Sequence, residues 1–170
     1  MEFPNFGTSH ESQRGYFSAQ LYEEMLKNKD IWLLFGDLGY GMFNKHRETF
    51  PDRAINTGAA EMGMMGAAVG LALEGKIPVV YSITSFLLRR PFEILKFYVN
   101  DEQIPVKLVG SGRNKDYAHD GPSHFSEDDV EIMRLFSNII PHWPKDKEQV
   151  PKMVHKMLNN PSPTYLNLTR

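Results

Sequence analysis

The feature that most constrains this chain is a regular exchange between short, wholly apolar runs and longer stretches whose apolar residues recur at helical spacing. Ile31–Phe35 is five consecutive apolar residues closed by Gly36-Asp37, the composition of a strand covered on both faces and followed by a tight turn. Ahead of it, 14–29 carries Tyr16, Phe17, Leu21, Met25 and Leu26 on one stripe, with Glu23, Glu24 and Lys27 facing away, which predicts an amphipathic helix. The exchange continues with a strand at 53–56, a small-residue helix over 59–74 closed by Gly75, a strand at 78–83, a helix over 86–100 and a strand at 106–109. After a loop over 110–123 come a helix at 126–136, with Ser126 as N-cap before three acids, a strand at 138–142, a helix at 147–158 and a strand at 164–168. This order predicts an α/β domain over 14–170, a three-layer sandwich around a mostly parallel sheet, behind a polar segment at 1–13.

A chain of 170 residues can bury about 70% of its unfolded surface, enough for a core without staples. The absence of cysteine excludes thiolate catalysis, iron–sulfur ligation and disulfides. A net charge of −2 without a basic block argues against a nucleic-acid partner. No apolar run approaches the roughly 20 residues that span a bilayer, and the N-terminus lacks a signal-like core, so a cytoplasmic protein with no membrane partner is expected.

In open α/β sheets ligands sit beyond the carboxyl ends of the strands, which directs attention to 36–44, 57–63, 84–90 and 110–125. The densest signal is the run 56–72, in which Glu61 is the only acid, placed at a helix start whose dipole favours an anion. Gly63, Gly66 and Gly70 would let a ligand or another backbone come close. On these residues alone, a packing helix with a favourable first-turn acid and a functional carboxylate remain equally open. A G-x-G-x-x-G after a strand is missing, which weakens a dinucleotide-binding alternative.

Four stretches in order sharpen this: Gly36-Asp37-Leu38, Glu61-Met62-Gly63-Met64, Thr84-Ser85-Phe86-Leu87 and Asp120-Gly121-Pro122-Ser123-His124. From about 14 to 170 the chain resembles the pyrimidine-binding (Pyr) domain of thiamine-diphosphate enzymes, in the branch of transketolase and 1-deoxyxylulose-5-phosphate synthase. The resemblance implies that Glu61 hydrogen-bonds the cofactor's aminopyrimidine N1′ and so activates the ring, that Phe86 packs against that ring, and that Asp37 lies at the cofactor. Such chemistry would be served by an apolar, partner-covered site that raises the carboxyl's proton affinity through desolvation. Arg89, three residues after Phe86, and Phe92, standing at a family tyrosine, are matched to the synthase side of the branch as further cofactor contacts.

By the same resemblance, Asp120 and His124 contact a bound sugar, and the imidazole of His124, which ordinarily titrates near neutrality, is a candidate acid–base group. A metal site shared by His119 and His124 is poorly supported by their spacing, and no metal ligand is assigned. Arg14 and Arg170 match arginines that hold a substrate's terminal phosphate, a role suited to guanidinium. Two companion phosphate ligands have no counterpart. Gly41 stands where the family has serine, and the expected histidine falls near Gly112-Arg113, leaving Arg113 as a candidate substrate contact.

Thiamine diphosphate is held through Mg²⁺, which this family binds with a Gly-Asp-Gly and a downstream Asn on a diphosphate-binding (PP) domain. That motif is not in this sequence. The expectation is therefore the C-terminal-type subunit of a split transketolase-like enzyme, active with a separately encoded PP subunit in an α₂β₂ assembly, moving a two-carbon ketol unit between sugars or sugar phosphates. A 2-oxo acid decarboxylase or acyloin synthase, weakly allowed by Arg89, and a non-catalytic partner subunit are the alternatives. Met62, Met64 and Met65 suit either a core or a surface that adapts to a partner.

Overall fold

The structure, a computed structural model, describes residues 11–39 and 41–170; most of the polar segment 1–13 lies outside the described residues. In chain order the elements are α1 (Gln13–Lys27), β1 (Ile31–Phe35), α2 (Asn44–Thr49), β2 (Ala54–Asn56), α3 (Glu61–Leu73), β3 (Ile77–Ile83), α4 (Thr84–Arg89) and α5 (Phe92–Ile94). A π-helix (Leu95–Asp101) leads to β4 (Lys107–Ser111), two 3₁₀ turns (Ala118–Asp120 and Pro122–His124), α6 (Asp129–Met133), β5 (Ile140–His142), α7 (Val150–Leu158) and β6 (Thr164–Leu168). The six strands form one sheet in the order β2-β1-β3-β4-β6-β5, and every pairing is parallel.

Alternate residues of each central strand feed two separate cores. Leu33, Phe35, Val79 and Tyr81 pack with Phe17 and Leu21 of α1 and Val154 of α7, while Leu34, Val80 and Leu108 pack with Met64, Met65 and Ala68 of α3, Leu87 of α4 and Val99. That is why Ile31–Phe35 is apolar without a break: both of its faces are covered. The chain leaves β1 toward β2 and leaves β3 toward β4, in opposite directions, so a crevice opens between the carboxyl ends of β1 and β3.

Two expected elements differ, and one helix is unanticipated. The helix expected over 86–100 is interrupted at Pro91, which has no N–H to continue the ladder. The α4 register ends with Arg90 N–H donating to the Phe86 carbonyl, and a new turn begins with Leu95 N–H donating to Pro91, passing into the π-helix. Ser126 does not cap α6; its hydroxyl donates to the Gly112 carbonyl, and the helix starts at Asp129. The segment 44–49, for which no element is expected, is the helix α2. Gly75 does close α3, with φ of 76°, its N–H bonded to Ala72 O and the next N–H, of Lys76, to Leu71 O, a complete Schellman motif.

Candidate functional site

The crevice between β1 and β3 holds a small cavity of about 130 Å³ lined by Asp37, Leu38, Ala59, Glu61, Ser82, Ile83, Phe86 and Arg90. Three segments of the chain, distant in sequence, converge there because each lies just past the carboxyl end of a strand. Glu61 opens α3, so its carboxylate sits at the positive end of the helix dipole. Only 3% of it is exposed. Ser82, the penultimate residue of β3, donates its hydroxyl to Glu61 Oε1 at 2.9 Å. Arg90 Nη1 donates to Glu61 Oε2 at 2.6 Å from a side chain that is 43% exposed.

Both carboxylate oxygens are thus met by polar donors, a hydroxyl and a guanidinium, beside the apolar face of Phe86. Gly36 backs this arrangement. A Cβ there would come within 3.2 Å of both Ser82 Oγ and Leu38 Cδ2, so the hydroxyl that bonds Glu61 sits close to a backbone position without a side chain.

Phe86 and Arg90 are four residues apart and share a face. The guanidinium carbon of Arg90 lies 3.7 Å from the centre of the Phe86 ring, so one planar cation covers the ring and reaches the carboxylate at once. The junction beneath is tied down by hydrogen bonds. β3 passes into α4 without a loop, Thr84 Oγ1 donates to the carbonyls of Ser111 and Gly112, and Ser85 Oγ donates to the Ser123 carbonyl. The latter bond ties α4 to the 110–125 loop, and His124 sets its ring 4.7 Å from that of Phe86, edge to face, with Nδ1 3.0 Å from Ser123 Oγ.

A second cluster forms around Tyr117 in the same loop. Arg14 Nη1 donates to the Tyr117 hydroxyl at 3.3 Å, and the Arg170 guanidinium lies 5.0 Å from the centre of the Tyr117 ring. His119 Nε2 is 3.1 Å from Arg170 Nη1 and 3.1 Å from Asp120 Oδ2. Behind them is the fully buried Tyr81, whose phenol is pushed up chiefly by desolvation. Arg14 and Arg170 are therefore brought together, and Asp120 joins them through His119. Among the described residues no group of three or more histidine, aspartate and glutamate side chains is placed to hold a metal ion.

Other anticipated residues are placed elsewhere. Arg89 pairs with Asp128 at 2.6 Å on the surface, away from Glu61. Phe92 packs against Phe136 and lines no part of the cavity. Arg113 is spent on structure: Nε donates to Asn167 Oδ1, Nη1 to Pro144 O and Nη2 to Asn167 O, and burial lowers its proton affinity. Met64 and Met65 are core, and only Met62 of that trio is exposed, on the outward side of α3 with Ala67 and Leu73. Ser82, Arg90 and Tyr117 belong to the site without standing out in the sequence.

A family model described as the transketolase pyrimidine-binding domain matches residues 12–170. The 6-deoxy-6-sulfo-D-fructose transketolase subunit SqwH of a Clostridium species is 34% identical over 151 residues, 88% of this chain and 47% of the relative. A subunit of the apulose-4-phosphate transketolase of Actinobacillus succinogenes is 35% identical over 119 residues, covering 70% of this chain and 38% of that protein. A split-gene transketolase solved as an inactive beta4 tetramer superposes with a TM-score of 0.83 at 28% identity, covering 94% of this chain and 52% of that one. Leishmania mexicana transketolase shares the fold, with a TM-score of 0.84 at 19% identity over 99% of this chain and 26% of that one. The chain spans about half the length, or less, of the two curated relatives.

Proposed function

The chain belongs to the transketolase pyrimidine-binding domain family, and from that premise we propose that it is the Pyr subunit of a split transketolase-like enzyme that transfers a two-carbon ketol unit between sugars. The observation that carries this reading is Glu61: a buried carboxylate at a helix start, beside the aromatic face of Phe86, in the crevice where an α/β sheet receives ligands. One carboxylate and one flat apolar face suit an aminopyrimidine, so these residues fit that half of thiamine diphosphate. The diphosphate and its Mg²⁺ would be held by a PP-type partner chain.

When bound, the cofactor supplies a carbon nucleophile and an electron sink for cleaving and forming the carbon–carbon bond. Glu61 would hold a proton at the ring nitrogen facing it, with Ser82 fixing the orientation of the carboxyl. Phe86 would set the plane of the ring by stacking. His124, packed beside Phe86, would exchange protons with a sugar hydroxyl, and Asp120 would orient it. Arg14 and Arg170 would receive an anionic terminus such as a phosphate or sulfonate, through charge-assisted hydrogen bonds. The decarboxylase alternative rests on Arg89, which is engaged by Asp128.

A partner is also favoured by α3, whose outward side from Met62 to Leu73 carries no charged residue. An α₂β₂ assembly would complete two sites. The test is co-purification of the chain with a PP-type subunit, followed by a ketol-transfer assay. Wild type should turn over, and Glu61→Gln, which keeps the shape but not the proton exchange, should lose about 10²-fold or more in kcat. Unaltered turnover in Glu61→Gln would refute the assignment.

A further inference from the structure

We infer that Arg90 is an internal competitor for the cofactor slot: its guanidinium occupies the place of a flat nitrogenous ring between Glu61 and Phe86 and has to swing out before such a ring can enter. This rests on the proposed function, in which Glu61 and Phe86 receive an aminopyrimidine. Guanidinium and a protonated aminopyrimidine are alike in what they present, a planar delocalised cation with N–H donors along an edge. Arg90 makes both contacts that such a group would make, one N–H to Glu61 Oε2 at 2.6 Å and one face on the Phe86 ring at 3.7 Å. A ring seated against both Glu61 Oε2 and that face of Phe86 would overlap the guanidinium, which already holds both contacts.

The two partners differ in how tightly they are fixed. Glu61 is buried and bonded by Ser82, whereas the Arg90 side chain is 43% exposed and extends from the C-cap of the six-residue helix α4, just before Pro91. Displacement therefore breaks one half-buried ion pair and one stacking contact, both of which an incoming cationic ring restores, while Ser82 keeps the carboxylate in position. Arg89 cannot stand in for Arg90, since it points to Asp128. The contact keeps the buried carboxylate compensated while the slot is empty of ligand, and it lowers the apparent affinity by the fraction of molecules in which the slot is open.

The chain alone gives the first test, by thermal melts with 4-amino-2,5-dimethylpyrimidine as probe. At a millimolar concentration that leaves wild type unshifted, the probe should raise the Tm of Arg90→Ala by several degrees, through preferential binding to the folded state. Arg90→Lys, which keeps a cation for Glu61 but cannot cover the ring, should respond similarly and guards against a folding defect in the alanine variant. The rise should vanish when Phe86→Ala is added. Equal shifts in wild type and variants, no shift in either variant, or a shift that survives Phe86→Ala would each overturn the inference.

The second test measures thiamine diphosphate binding to the complex with the PP-type subunit by calorimetry. If the closed slot is populated at about 90%, Arg90→Ala should bind about tenfold more tightly than wild type. Equal affinity would sink the competitor role and leave the proposed function standing. Failure of both complexes to bind the cofactor would remove the proposed function and this inference with it.

Discussion

Glu61 is legible as a candidate because it is the one acid in a long run of small and apolar residues, and chemistry that needs a charge there has no other side chain to use. Its partners are not legible, because adjacent arginines on a helix point about 100° apart and the sequence alone leaves the phase of α4 undetermined. Arg90 falls on the Phe86 face and Arg89 one step round it. Ser82 is hidden within an apolar strand, although a lone hydroxyl at the carboxyl end of a buried strand is the kind of polar atom that must find a partner. Its bond to a buried carboxylate is charge-assisted, so Ser82→Ala should destabilise the chain by about 1.5–3 kcal/mol, read as a fall in the urea midpoint at unchanged slope. A neutral result would mean that Arg90 alone compensates Glu61.

At the scale of elements, the β-strands are readable because a parallel sheet covered on both faces forces uninterrupted apolar runs, and all six appear near their expected positions. The helices after β3 and around 126 are less readable, and for different reasons. Pro91 is visible in the sequence and its missing N–H suffices to end α4. The late start of α6 depends on tertiary partners: Asp129 is buried because its Oδ2 accepts from Trp143 Nε1 at 2.8 Å, Asn167 Nδ2 at 3.0 Å and Tyr165 OH at 3.1 Å. Asn167 in turn donates to Thr84 Oγ1, so this network underlies the β3–α4 junction that aims Phe86 and Arg90. Asp129→Ala strands three donors and should cost about 3 kcal/mol or more. Trp143 fluorescence should shift as its indole N–H loses the carboxylate, whereas Asp129→Asn should recover much of the stability.

At the scale of the molecule, stability should depend on acid through a residue remote from the site. His46 is buried against Tyr22 and Phe43, and desolvation, with a smaller contribution from the neighbouring Lys45, lowers its pKa from 6.5 to about 3. Its backbone bond to Ser18 acts in the opposite direction. Between those two values the unfolded chain binds a proton that the folded chain refuses, so stability contributed by neutral His46 is intact above pH 6.5 and falls as pH drops below it. The slope should approach about 1.4 kcal/mol per pH unit, and His46→Phe should flatten that part of the profile in denaturation series.

The two outermost strands, β2 and β5, are three residues each, and β5 carries Pro141 at its middle position. Rims this brief, one with a missing amide hydrogen, offer a neighbouring polypeptide almost no rail along which to extend the hydrogen-bonded ribbon. Association by lateral zippering is thereby discouraged at both rims of the sheet.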